Sequence, residues 1–347
     1  MSDPNKFIEQ VRARSGLTAA GMACLKQDCG PVIAVAGSRE RNGSSQVTPA
    51  DLWHLGSVGK SMTATLTATL FHNRLDNCWL QGDITRHFPH AHELWQTCTF
   101  RHLLTHTSGL PANFGLSYLR KPYEESLRMS AVQAALSKPP ARTPGSRYKY
   151  SNLGYTLLGL LCEFHSAENG VAQPFEALLQ QHIGEQLGLA SLGFGPPQGE
   201  HPCGHQVLLG FRKKMPQTNR HADNTPLITP AGRMHMTLAD LAIFGMAHLQ
   251  LAQGNTASPL GHLLPNALHA PNLSDYACGW VVGEQEWAGP IIWHNGSNRF
   301  WYCLLMLLPD RNAVLAFTTN DGAIFKAERA FFKAAEMLCQ DDSLTFI

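Results

Sequence analysis

The spacing of apolar and polar positions changes character along the chain. Toward the N-terminus, NKFIEQVRARSG predicts a helix. Two strands follow, GMACLKQD and PVIAVAGSRE, joined by a short turn ending at Cys29-Gly30-Pro31. The middle reads as mostly helical, broken by Pro/Gly loops such as SKPPARTPGSR and FGPPQGEHPCG. Within it, Thr237 with Asp240 three residues on caps an apolar helix, MTLADLAIFGMAHLQLAQG. The last part alternates again: YACGWVVG, PIIWHNGS, FWYCLLMLLP and AVLAFTTN predict strands, with PDRN as a turn, before a closing helix, IFKAERAFFKAAEMLC. Strands at both ends around a helical middle predict one sheet built from the two termini.

One stretch carries two periods at once. From Met62 to Leu70 apolar residues alternate with threonine, which favours a strand, while Met62, Leu66 and Leu70 also share one helical stripe. Periodicity leaves both open.

Composition narrows the class. The 347 residues are 44% hydrophobic and 15% charged, enough to bury a sizeable core. Formal net charge is +1 and no Lys/Arg tract stands out, so neither nucleic acid nor an anionic membrane is an expected partner. No apolar run approaches the roughly 18 residues of a membrane span. The N-terminus lacks the basic start and apolar run of a secretory signal, and the nine cysteines are scattered without CxxC spacing. A reduced, cytoplasmic setting is the expectation, or a periplasmic one if a leader has been removed.

Candidate chemistry begins at HLGSVGKSMTATLTATL. Ser57 and Lys60 fit an ordinary helix cap beside a solvated lysine. They also fit a nucleophile and its base. A helix N-terminus supplies N–H groups for an oxyanion, and a partly desolvated lysine beside the dipole loses affinity for its proton. The spacing itself is weak evidence, since Ser146 and Lys149 repeat it. A second candidate is Tyr150-Ser151-Asn152, where a phenol and an amide can project from a loop-to-helix junction; Ser151 as cap and Tyr150 as packing aromatic is the plainer alternative. The third is His294-Asn295-Gly296 at the end of an apolar strand. There Gly296 permits close approach of another backbone, and Ser297 offers an N–H to complete an oxyanion hole with Ser57.

Taken in this order, the triplets resemble the Ser-x-x-Lys, Tyr-x-Asn and Lys-Thr-Gly series of class C β-lactamases, related DD-peptidases and esterases of that fold. DLWHLGSVGKSMTA, FRHLLTHTSGLP, PGSRYKYSNLGYTLLG, TPAGRMHMTLADLAIF and YACGWVV resemble segments of the family in family order, over roughly residues 5 to 340. The resemblance implies an α+β, β-lactamase-like fold: an antiparallel sheet flanked by helices, with residues 1–74 and 275–347 forming the α/β part and 75–274 a mostly helical part. It also implies that the Thr-rich segment is a buried helix.

By the same resemblance Ser57 is acylated, Lys60 holds or shares its proton, Tyr150 acts as general base and then acid, and Asn152 binds the substrate carbonyl. His294, Gly296 and Ser297 line the substrate site. His294 stands where class C enzymes usually carry lysine, and Asn295 replaces a hydroxyl residue. The expected function is therefore a metal- and cofactor-free serine hydrolase of esters, small amides or D-amino-acid peptides. A true β-lactamase or DD-carboxypeptidase is the alternative, and a catalytically silent scaffold the alternative of another class. Histidine would supply a cation only at lower pH, so acylation by anionic substrates is expected to weaken through about pH 6 to 7.

Other motifs carry less. His87, His90 and His92 lie in a loop beside Pro89, and His201, Cys203 and His205 form a second loop cluster, neither with metal-binding helical spacing. Leu55 occupies the first glycine position of a Gly-x-Ser-x-Gly elbow, and Asn42-Gly43-Ser44 is a bare sequon.

Overall fold

The computed structural model describes residues 3–72, 78–170, 172–208, 210–219, 221–264 and 268–340. An antiparallel six-stranded sheet in the order β2-β1-β11-β10-β9-β8 forms the frame. Its strands are β1 (Ala19–Lys26), β2 (Val32–Gly37), β8 (Val281–Gln285), β9 (Gly289–Ser297), β10 (Tyr302–Leu308) and β11 (Ala313–Thr319). The two ends of the chain meet in the middle of this sheet, with Gly21 opposite Thr318 across β1 and β11. Smaller ladders join β3 (Trp53–His54), β7 (Met234–Met236) and β4 (Gly193–Phe194), and pair β5 (Gly204–Leu208) with β6 (Phe211–Met215). These short ladders lie outside the strands read from sequence, and β5 takes His205 out of the expected loop cluster.

The longer helices are α1 (Pro4–Ser15), α2 (Gly59–Phe71), α3 (Glu125–Leu136), α4 (Asn152–Glu168), α5 (Leu238–Ala252) and α6 (Ile324–Gln340). Helices α1 and α6 cover one face of the sheet and α5 the other. Both faces are therefore dry, which is why β10 and β11 are buried at every position and read as continuous apolar runs. Alternation survives underneath: Leu304 and Met306 join the core under α6, while Leu305 and Leu307 join the core under α5. Helix α5 comes from the stretch read as the helical part, yet it packs on the sheet; α2 comes from the N-terminal stretch and packs on α4.

The ambiguous Thr-rich segment is α2, buried from Gly59 to Ala68. Its threonines bond back to the preceding turn, Thr65 Oγ1 to Ser61 O at 2.7 Å and Thr67 Oγ1 to Thr63 O at 2.8 Å. The hydroxyls of Thr63, Thr65 and Thr67 are thus satisfied inside a helix that apolar groups enclose, and the period-2 appearance has no strand behind it.

Candidate active site

The chain enters the site from β3. Leu55 N donates to Met234 O of β7, and a single 3-10 turn, Gly56–Val58, then leads into α2. Leu55 and Val58 hold the N-cap positions of this turn and of α2, so Ser57 caps neither. Its Oγ lies instead 3.2 Å from Lys60 Nζ. Lys60 is fully buried, and its amine also donates to Asn152 Oδ1 at 2.7 Å and to Ala231 O at 2.5 Å. Burial with no carboxylate partner in these contacts holds its pKa well below the ordinary lysine value.

Helix α4 brings the second group. Ser151 is its N-cap, accepting from Gly154 N at 3.0 Å, which leaves the flanking Tyr150 and Asn152 to face Lys60. Lys60 Nζ stands 4.7 Å from the centre of the Tyr150 ring. Burial pushes the Tyr150 phenol upward, and the hydrogen bond with Ser57 opposes that only in part. No neighbouring cation lowers this pKa, because the neighbouring amine is itself pushed toward neutrality. Asn152 is aimed from both ends of its amide, with Nδ2 donating to Asn113 Oδ1 at 2.7 Å.

The end of β9 closes the site. β8 pairs with β9 only as far as Trp293, so His294–Ser297 have their ladder partner on β10. On the other side the 3-10 turn packs directly against them. A Cβ on Gly296 would stand 2.4 Å from Ser57 N and 2.1 Å from Leu55 O; one on Gly56, whose φ is +53°, would stand 2.2 Å from Ser297 N. Neither position admits a side chain, and that closeness sets the Ser57 and Ser297 amides beside each other.

His294 departs from expectation. It is 3% exposed, its Nδ1 donates to Asn295 O at 2.5 Å, and its Nε2 accepts from Tyr276 Oη at 2.9 Å. Burial, reinforced by Lys60, pushes the imidazole down to about 3. A cation that switches on near pH 6 to 7 is therefore excluded at this position: the ring is neutral and both nitrogens are engaged. Asn295 is likewise occupied, donating through Nδ2 to Glu328 of α6.

Two side chains that sequence reasoning did not single out belong to the same cluster. His106, buried and left-handed at φ 58°, lies 4.2 Å ring to ring from Tyr150, and its Nδ1 accepts from Ser151 N. Tyr276 lies 4.6 Å from the His106 ring and holds His294. Both sit in segments already quoted, FRHLLTHTSGLP and YACGWVV, but a histidine or tyrosine without spacing to a partner carries no signal of its own. The second Ser-x-x-Lys is apart from all this: Ser146 is exposed and bonds Thr143 O. His92 caps a short 3-10 turn, and His205 is spanned by Arg41 N and Asn320 O, so these have structural work.

The family model for Beta-lactamase matches residues 6–336. The chain belongs to the Beta-lactamase family. Among curated relatives it is similar to Penicillin-binding protein 4* of Bacillus subtilis (strain 168), 24% identical over 82% of this chain, and it spans 64% of that protein's length. Its fold is similar to that of the D-amino acid amidase from Ochrobactrum anthropi SV3, with a TM-score of 0.73, 19% identity and coverage of 96% of this chain and 97% of that one. It is similar to that of a β-lactamase/D-alanine carboxypeptidase from Pseudomonas syringae as well, with a TM-score of 0.73, 18% identity and 98% of both chains covered. Within the Beta-lactamase family frame, no helix among the described residues is long and apolar enough to cross a membrane.

Proposed function

We propose that this protein is a serine acyl hydrolase working through an acyl-enzyme on Ser57. The observation that carries the reading is the engagement of Lys60: its Nζ, stripped of solvent, lies between Ser57 Oγ, Asn152 Oδ1 and Ala231 O. A neutral amine has two N–H bonds and one lone pair. Given to the two carbonyl oxygens, the N–H bonds leave the lone pair for the Ser57 proton. Ser57 Oγ then attacks the acyl carbonyl, whose oxygen gathers charge beside the Ser57 and Ser297 amides. The proton held on Lys60 reaches the leaving group through the Tyr150 hydroxyl, and water releases the acyl group by the reverse relay. No metal or cofactor is called for.

The substrate we favour is an ester or small amide that carries no carboxylate, since the third motif presents a neutral His294 rather than a cation. The likeness to a D-amino acid amidase supports the amide form of this reading. A β-lactam or a D-alanyl peptide is the second reading, favoured by the likeness to Penicillin-binding protein 4* and to the Pseudomonas enzyme. A fluorescent phosphonate should label wild type and not Ser57→Ala, with kcat on a short-chain nitrophenyl ester falling at least about 10³-fold in that variant. No labelling would leave only a silent scaffold. Rapid nitrocefin turnover without ester hydrolysis would select the second reading.

A further inference from the structure

A buried carboxylate lies behind the paired amides. Asp223, whose side chain is 3% exposed, has its Oδ1 2.8 Å from His54 Nε2, 3.0 Å from Asn298 Nδ2 and 2.7 Å from Asn224 N. Its Oδ2 takes Arg233 Nε at 3.2 Å. Burial alone would raise its pKa, but His54, Arg233 and Asn298 together hold it below the usual carboxylate range, so the charge stays on. His54, with no exposed surface, accepts the Gly56 amide on Nδ1 at 3.0 Å. That bond leaves the ring proton on Nε2, the nitrogen that faces Asp223.

Two of these contacts end one residue away from a proposed oxyanion donor. Gly56 precedes Ser57, and Asn298 follows Ser297, with Asn298 Oδ1 also accepting Phe300 N at 3.1 Å to shape the turn beyond β9. The same segment reaches the centre elsewhere: Ala231 O receives Lys60, and a Cβ on Gly232 would touch Gly56 O at 2.8 Å. We propose that Asp223, acting through His54 on one side and Asn298 on the other, is a positioning residue for the oxyanion hole, setting the Ser57 and Ser297 amides at the separation a developing alkoxide requires.

This rests on the acyl-hydrolase reading above, and the test separates the two. A nitrophenyl ester and its thionoester, with the same acyl group, would be compared in wild type, His54→Ala, His54→Gln, Asp223→Asn and Asn298→Ala. Sulfur is larger and a poorer hydrogen-bond acceptor than oxygen, so a well-set hole favours the oxo substrate and a loosened one discriminates less. His54→Ala and Asp223→Asn should lower kcat on the oxo ester about 10- to 100-fold with KM nearly unchanged, and shrink the oxo/thiono rate ratio. His54→Gln, whose amide can accept from Gly56 N–H and donate to Asp223, should recover most of both. Folded variants that keep the wild-type ratio, whatever their melting temperature or kcat, would overturn the proposal. Should Asp223→Asn fail to fold, His54→Ala and Asn298→Ala decide. Wild type that hydrolyses neither ester, or does so equally well as Ser57→Ala, would fell the hydrolase reading and this one together; a loss confined to the positioning variants leaves the former standing.

Discussion

Lys60 and Tyr150 are pushed in opposite directions by the same burial, and that divides their tasks. The amine loses its proton readily and the phenol keeps its own, so the resting pair consists of a base and an acid rather than two candidates for one role. Activity against pH should then fall on the acid side as Lys60 becomes protonated, with that limb well below the ordinary lysine range. No alkaline decline should appear near pH ~10, where a free tyrosine titrates. A kcat profile that drops through the ordinary tyrosine value would contradict this division, and Lys60→Met should cost about 10²- to 10⁴-fold in kcat. Between about pH 6 and 7 His294 should add no step of its own, for anionic and neutral substrates alike, because burial pushes its pKa down to about 3. A step in that interval that disappears in His294→Gln would restore the switch that the buried ring excludes. Spacing alone made Ser57, Lys60, Tyr150 and Asn152 visible as candidates. It could not show that His294 is enclosed, because enclosure depends on Tyr276 and on the depth of β9.

Among the elements, the amphipathic ones were the most legible. Helices α1 and α6 lie where their period puts them, β10 and β11 where apolar runs bounded by turns put them, and α5 where the Thr237 cap, accepting from Asp240 N, opens an apolar run. Helix α2 is the exception, since an element buried all round has no polar face to betray its period. The short ladders β3–β7–β4 were invisible for another reason: two- and three-residue strands carry no periodicity, and their existence depends on partners far along the chain. The attachment of α6 to the sheet gives a check at this scale. Phe331 has no exposed surface and stacks on Phe317 at 5.2 Å, with Tyr302 at 6.0 Å. Phe331→Ala should cost about 3–5 kcal/mol in urea denaturation, with KM for an ester substrate unchanged in the protein that remains folded. A loss under 1 kcal/mol would mean that α6 is held by something other than this core.

At the scale of the whole molecule, buried imidazoles make the fold sensitive to acid. His106, His248 and His294 are buried, and burial pulls each pKa below its ordinary value of 6.5. The unfolded chain therefore takes up these protons first as pH falls. Stability should be complete above about pH 6.5 and decline below it, toward the much lower folded values. Asp223, whose pKa is lowered, adds a further loss only once pH falls through the ordinary carboxylate value. A urea midpoint clearly lower at pH 5 than at pH 7 is expected, and an unchanged midpoint would show that these rings are solvated. What the sequence by itself determined here is local: the periods that make helices and strands, the caps, and the triplets that mark chemistry, all of which depend on residues a few positions apart. The tertiary structure decided protonation, enclosure and the pairing of two amides across Gly56 and Gly296. Those depend on desolvation and on close approach between segments hundreds of residues apart, and neither quantity is a property of any short stretch of chain.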